Sequence, residues 1–447
     1  MGMKFNTLMR ALIAGGGAAP ATELPQLGAL TFKLSADSLS QADGSAVASW
    51  PAEVGGVSAT QGTGANQPIF KTNLFGTKPG VRFDGLSDFM TLGRPASLTT
   101  PLDSTTNTTV LVMRVNGAAT NGMPFSAFAG GSGIAYMADG STNYGNYPEY
   151  RTQLQFNGAG LNVMGFTTQP GPAYRPNTPL SKCFHNGTCY FTDQVGASTS
   201  GGNDFGVGGQ AAGLYPAKVD MFEVLVWNVA LTATEMLQVQ KYVCDKYSQP
   251  YPWASLAYFP VFHGDSITAS QNASSSRTSY PRVAAQSLSL DYGQYTNLGT
   301  GYLTLTGMTT QADEFQNLAT LLGKPVRVVA FEYYNERGTA PATLQAAAIS
   351  YCTKVRGFTN TKLVMGTSTS SSSDPDSNRN AYNAWWDANS ATYSDAYAAI
   401  HTNSAIGISG AAATDANTTY FHDGIHLKDA GYSVLAGIMT TAIQAIP

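Results

Sequence analysis

The chain has 447 residues, which at about 150 residues per domain gives two or three domains, each large enough to bury a core. Charged residues make up 12% of it where about 25% is usual, and 47 glycines and 22 prolines punctuate a chain that is 43% apolar. That balance excludes coiled coil and disorder and favours strands joined by turns. A formal net charge of -4 offers no counter-charge for a phosphate backbone, so nucleic acid is not an expected partner.

Residues 1–25 contain Lys4 and Arg10 ahead of Ala11-Leu12-Ile13-Ala14, but Gly15-Gly16-Gly17 breaks the apolar run. The segment reads as a tether or docking piece rather than a secretory leader. No run of eighteen or more apolar residues exists, so no membrane span is expected. Four cysteines are too few for a disulfide framework. Cys183 and Cys189 could bridge across a hairpin, whereas Cys244 and Cys352 sit in apolar helical patterns and read as buried thiols.

Residues 26–249 read as short alternating runs between Gly, Asn, Asp, Ser and Pro clusters, the pattern of an antiparallel sandwich. Strands are expected at Ala29 to Leu34, Val81 to Phe83, Thr109 to Val115 and Met221 to Trp227. A helix closes this part. Thr232 can cap it, Glu235 completes a capping box, and Met236, Val239, Val243 and Tyr247 share the face that packs on the sandwich.

Asp43-Gly44-Ser45-Ala46-Val47 leading to Trp50, then Gly80-Val81-Arg82-Phe83-Asp84-Gly85, then Glu223, Leu231 and Glu235 resemble the concanavalin A-like, laminin-G-like jelly rolls. That resemblance implies a carbohydrate-binding domain. Tyr136, Tyr144, Tyr147, Tyr150 and Tyr174 crowd a Gly/Asn-rich stretch, where rings could stack on sugars or equally pack loops and a subunit interface.

Ser248-Gln249-Pro250-Tyr251-Pro252 ends the helix and marks a boundary, with a second domain over 250–447. There the period changes. Compact apolar strands at Ala257 to Phe262, Val326 to Phe331 and Lys362 to Met365 alternate with helical patterns at Tyr280 to Leu290, Ala312 to Leu322, Ala342 to Val355, Arg379 to Ala391 and Lys428 to Ile446. Alternation of this kind implies a parallel sheet between helices, a three-layer αβα architecture.

In such a sheet, ligands meet the loops after the strands. The first strand runs into His263-Gly264-Asp265-Ser266-Ile267, which puts a serine hydroxyl and an outward backbone N–H at the strand-to-helix turn. Near the C-terminus stands His422-Asp423-Gly424-Ile425-His426. Asp423 can hold the Nδ1–H of His426, leaving Nε2 to take the proton of Ser266. Donors for an oxyanion are available from Asn297-Leu298-Gly299-Thr300-Gly301 and from Asn335 after the next strand. His263 reads as a packing and hydrogen-bonding residue. The His422–His426 spacing lacks a third ligand, so neither a metal nor a cofactor is expected.

These four blocks, in this order, resemble the SGNH hydrolases, the GDS-type esterases. The resemblance assigns Ser266 as nucleophile, His426 as base, Asp423 as its orienting acid, and the Ser266 N–H, Gly301 and Asn335 to the oxyanion hole. Gly299 and Gly307 are alternatives to Gly301. The chain departs from the family where Tyr333-Tyr334-Asn335-Glu336 replaces Gly-x-Asn-Asp, and Tyr333, Glu336, Tyr144 and Tyr147 are candidate substrate contacts.

The expected activity is that of a serine esterase removing acyl groups, foremost O-acetyl, from a bacterial surface polysaccharide such as a capsule or O-antigen. It should act more readily as pH rises through the ordinary imidazole range of about 6.5. A short N-terminal segment before a sugar-binding jelly roll resembles a bacteriophage tail spike or fibre, which implies a virion tail location, other tail proteins as partners and a homotrimer, although no coiled-coil pattern enforces one. A secreted bacterial lipase or acylesterase and a non-catalytic receptor-binding tail protein are the alternatives.

Overall fold

The structure is a computed structural model that describes residues 22–93, 106–116, 122–127, 132–136, 141–146, 154–155, 160–169, 180–194, 204–211, 213–372, 377–409 and 418–447. Tyr147, Tyr150, Tyr174 and most of the proposed tether lie outside these residues, as do the side chains of Tyr136 and Tyr144.

Two antiparallel sheets come first. One runs in the order 188–194, 180–185, 162–169, 107–115, 219–227, 78–82, 69–75, with Leu30–Ser35 also paired to Val219–Trp227. The other runs 154–155, 141–146, 132–136, 122–127, 205–207, 90–93, 58–60, 49–51. Between them Phe32, Trp50, Phe70, Phe83, Met113 and Phe205 form one core. Every residue of Val219–Trp227 is buried, because one face of this strand meets that core and the other lies under a helix. This explains why it reads as a continuous apolar run rather than an alternating one.

That helix, α1 (Ala233–Lys246), starts with the expected capping box: the Glu235 N–H donates to Thr232 Oγ1 at 3.2 Å and the Thr232 N–H to Glu235 Oε2 at 2.8 Å. Its apolar face does more than cover the sandwich. Met236, Leu237, Val239 and Val243 belong to a second core that continues through Phe315 and Leu318 to Val261, Val328 and Leu363 of the next sheet. The two halves therefore share one apolar interior, with α1 between them.

Beneath α1 sits a buried charge. The Glu223 carboxylate is fully buried, accepts from Tyr242 at 3.2 Å and Tyr247 at 3.1 Å, and is paired with Lys246. Burial opposes the Lys246 charge, but the Glu223 carboxylate overrides it and holds the ammonium above its ordinary pKa.

Cys183 and Cys189 do lie on the two arms of a hairpin, yet they are not bridged. Cys189 is opposite Phe184, the neighbour of Cys183, so the alternation of the strand puts Cys183 in the core between the sheets and Cys189 in the core under α1. Two thiols on opposite faces of a sheet cannot meet.

The C-terminal half is a five-stranded parallel sheet in the order Thr296–Asn297, Phe259–Gly264, Val326–Phe331, Thr361–Gly366, Ala396–Ala398. Helices follow the strands: α2 (Tyr280–Ser287), α3 (Leu305–Gln311), α4 (Asp313–Leu322), α5 (Pro341–Arg356), α6 (Ser377–Tyr393) and α7 (Asp429–Gln444). α2 and α7 contribute Ala284, Tyr432, Leu435 and Met439 to the core on one face; α4, α5 and α6 contribute Phe315, Tyr351 and Trp386 on the other. The short last strand and α3 escape the sequence pattern, the first for its length and the second because Thr306, Gly307, Thr309 and Thr310 are poor helix formers.

Candidate active site

The chain leaves the Phe259–Gly264 strand toward Thr296–Asn297 on one side and later returns to Val326–Phe331 on the other. The carboxyl ends of these strands therefore flank the switch point where doubly wound sheets hold ligands. Gly264 is required there, since a Cβ would stand 2.0 Å from the Phe331 carbonyl oxygen. The turn that follows is held by the Ile267 N–H to Asp265 Oδ1 at 2.9 Å and the Ala269 N–H to the Asp265 carbonyl at 2.9 Å. Ser266, 6% exposed, sits at its tip. Among the described residues, no acceptor stands within hydrogen-bond reach of the Ser266 N–H.

Residues 421–427 form a tight loop before α7, pinned by the Phe421–Leu427 bridge and by the His422 N–H on the His426 carbonyl at 2.9 Å. Asp423 organises it. Its Oδ1 accepts from the N–H groups of Ile425 at 3.0 Å and His426 at 2.8 Å, and its Oδ2 stands 2.7 Å from His426 Nδ1. Burial raises the carboxyl pKa, but the bonds from the His426 ring and backbone outweigh it and hold Asp423 below its ordinary value of 3.8. An ionised carboxylate only accepts, so Nδ1 carries the ring proton and Nε2 presents a lone pair. That Nε2 lies 3.0 Å from Ser266 Oγ. The structure thus brings together three residues from two loops 160 positions apart in the chain.

Of the three candidate glycines, Gly299 donates its N–H to Asn297 Oδ1 at 2.8 Å and Gly307 donates to its own helix cap, Thr304 Oγ1, at 3.2 Å. Gly301 lies between them, half-buried, on the same loop. Gly299 instead serves close packing: a Cβ there would stand 2.5 Å from the Ala269 nitrogen. Asn297, to which sequence reasoning assigned no role, also donates from Nδ2 to the Thr268 carbonyl at 2.8 Å and so ties the glycine loop to the serine turn. Its position beside the glycines was the available signal. Asn335 donates from Nδ2 to the Leu303 carbonyl at 2.9 Å, and the same nitrogen carries a second N–H.

The two large departures from the family pattern have structural roles. Tyr333 is buried, 3% exposed, and packs in the core with its ring stacked on Tyr382 at 5.7 Å. Glu336 accepts the Leu305 N–H at 2.7 Å and caps α3. Tyr144 lies in the second sheet of the sandwich, away from α1, on a strand paired to Ser132–Tyr136. His263 is fully buried between Tyr351 at 3.0 Å and Gln311 at 3.2 Å. No group of three His, Cys, Asp or Glu side chains able to hold a metal occurs among the described residues.

Two acids lie beneath the crevice. Burial raises Asp265 to about 7 against the pull of backbone N–H groups, and burial beside Glu336 and Asp265 raises Glu332 far above the carboxylate range.

No family model matches the chain, and no curated protein matches it. Among solved structures, the Trypanosoma rangeli sialidase in complex with sialic acid aligns at 14% identity over 49% of this chain and 33% of its own, with a TM-score of 0.36. Domain 4 of AbnA, a GH43 extracellular arabinanase from Geobacillus stearothermophilus, in complex with arabinotriose, aligns at 15% identity over 47% of this chain and 98% of its own, with a TM-score of 0.32. TesA aligns at 18% identity over 42% and 99%, with a TM-score of 0.34. The chain spans about a third of the length of the sialidases.

Proposed function

We propose that the chain is a serine ester hydrolase with Ser266 as nucleophile, His426 as general base and Asp423 as the residue that orients and stabilises the imidazolium. The observation that carries this reading is the continuous pair of contacts, 3.0 Å from Ser266 Oγ to His426 Nε2 and 2.7 Å from His426 Nδ1 to Asp423 Oδ2. His426 takes the hydroxyl proton as Ser266 adds to the ester carbonyl, and returns it to the leaving alcohol. The oxyanion meets the Ser266 N–H, Gly301 and Asn335. Water then adds to the acyl-enzyme with the same imidazole as base.

The sandwich fused to this half, packed on it through α1, favours a polymeric carbohydrate substrate and a small acyl group such as acetyl. The organisation read from the sequence favours a bacteriophage tail acting on a bacterial surface polysaccharide. Acetate release from intact capsule or O-antigen, compared with release from long-chain acyl esters, tests the substrate class. Preference for the long chains contradicts it.

A further inference from the structure

A cavity of about 560 Å³ lies where the sandwich meets the C-terminal half, within the range of about 300–1,000 Å³ common for small-molecule sites. Thr167 and Gln169 line it from the sandwich strands; Gly301, Tyr302, Gln311 and Asn317 line it from the other half. The walls belong to both halves, so the cavity exists only in the joined chain. Gly301 borders both this cavity and the proposed oxyanion hole, and the same loop supplies the Leu303 carbonyl that holds Asn335.

Its charges cancel. Lys182 and Glu314 share the lining and offset one another, and Asp313 is paired with Lys354 at 3.0 Å, so no net field selects an ion. The other polar groups are uncharged. Among the described residues, the side-chain amides of Gln169 and Asn317 have no hydrogen-bond partner, and Gln311 uses only its Oε1, toward His263 at 3.2 Å. Each amide carries acceptor and donors side by side, which matches a ligand bearing hydroxyls.

Tyr302 gives the cavity an aromatic edge. Its ring is 49% exposed, and its backbone stands at a φ of 61°, the left-handed region that residues other than glycine adopt at a cost. Strain of this kind concentrates at ligand sites, where the return lies in where the side chain is placed. A ring beside uncharged amides is the chemistry that recognises a sugar: the C–H face of the sugar packs on the ring while its hydroxyls bond to the amides.

We propose that this cavity is a subsite for a neutral sugar unit, packed on Tyr302 and hydrogen-bonded to Gln169 and Asn317, next to the acylated unit of the same polymer. The acylated neighbour rests on the esterase reading; the neutral sugar rests on the balanced charges, the amides and the ring.

The test is calorimetric titration of the full chain with acyl-free neutral trisaccharides of glucose, galactose, mannose, rhamnose and N-acetylglucosamine, with a galacturonate trisaccharide as the charged control. At least one neutral member should bind, with an affinity that does not change as salt is raised. Tyr302→Gly removes the ring and suits the left-handed backbone, so it keeps the fold and should weaken that binding about ten-fold, whereas Tyr302→Trp should keep it. Gln169→Ala, on a sandwich strand, should weaken it about five-fold and leave hydrolysis of p-nitrophenyl acetate unchanged. Binding by no neutral member, tighter salt-sensitive binding of the galacturonate control, or binding that survives both Tyr302→Gly and Gln169→Ala overturns the proposal. Hydrolysis of p-nitrophenyl acetate by the wild-type chain is read separately. Hydrolysis without sugar binding overturns the subsite alone, and sugar binding without hydrolysis overturns the esterase reading alone.

Discussion

Asp423 and His426 stand three residues apart on one loop, and the carboxylate grips its partner twice, at the imidazole Nδ1 (2.7 Å) and at the backbone N–H (2.8 Å). The backbone contact fixes the loop and the ring contact fixes the tautomer. Asp423→Asn keeps an oxygen for the N–H groups but removes the charge that stabilises imidazolium. The expected outcome is a fall in kcat of about 10³- to 10⁴-fold with little change in KM, measured on p-nitrophenyl acetate.

Asn335 is held by the bond its Nδ2 donates to the Leu303 carbonyl at 2.9 Å. Asn335→Ala should lower kcat by about 10²- to 10³-fold, the loss of one oxyanion donor, without preventing acylation by a fluorophosphonate. An unchanged kcat would remove Asn335 from the oxyanion hole.

The residue just before the Gly-Asp-Ser turn makes stability depend on pH. His263 is fully buried and its pKa is depressed to about 4, by burial and by the Lys182 charge, against the bond it donates to Gln311 Oε1. Because the folded value lies below the unfolded one of about 6.5, the unfolded chain binds the proton first. This group therefore destabilises the fold progressively as pH falls from about 6.5 toward 4, by about 2–3 kcal/mol at the lower end. Urea midpoints for His263→Phe should fall less over that interval than those of the wild type.

Much of this was legible in the sequence because local chemistry carried it. Thr232 and Glu235 announce the start of α1, and the Val326–Phe331 strand is bounded as its apolar run predicts. Asp423 and His426 were readable for the same reason, being close in sequence. Register was not readable: Cys183 and Cys189 look like a bridge by spacing, but Cys189 pairs with Phe184, the neighbour of Cys183, which puts the two thiols on opposite faces. Tyr333 looked like a pocket residue because it stands where the family has glycine, but Tyr382, some fifty positions away, supplies the stacking partner that takes it into the core.

The seating of α1 on the sandwich involves the charge beneath it. Glu223→Ala leaves Lys246 with its ion pair to Asp37 at 2.7 Å alone and the hydroxyls of Tyr242 and Tyr247 without their acceptor. The expected cost is about 1–3 kcal/mol, read as a lowered urea midpoint. A variant as stable as the wild type would show that the pair contributes nothing to holding α1 in place.

The nucleophile itself is the most direct point of attack. Incubation of the full chain with a fluorophosphonate, followed by peptide mapping, should place the adduct on Ser266, and Ser266→Ala should take up no label and release no nitrophenol from p-nitrophenyl acetate. Labelling elsewhere, or equal hydrolysis by Ser266→Ala, would contradict the assignment of Ser266, His426 and Asp423 as a catalytic unit.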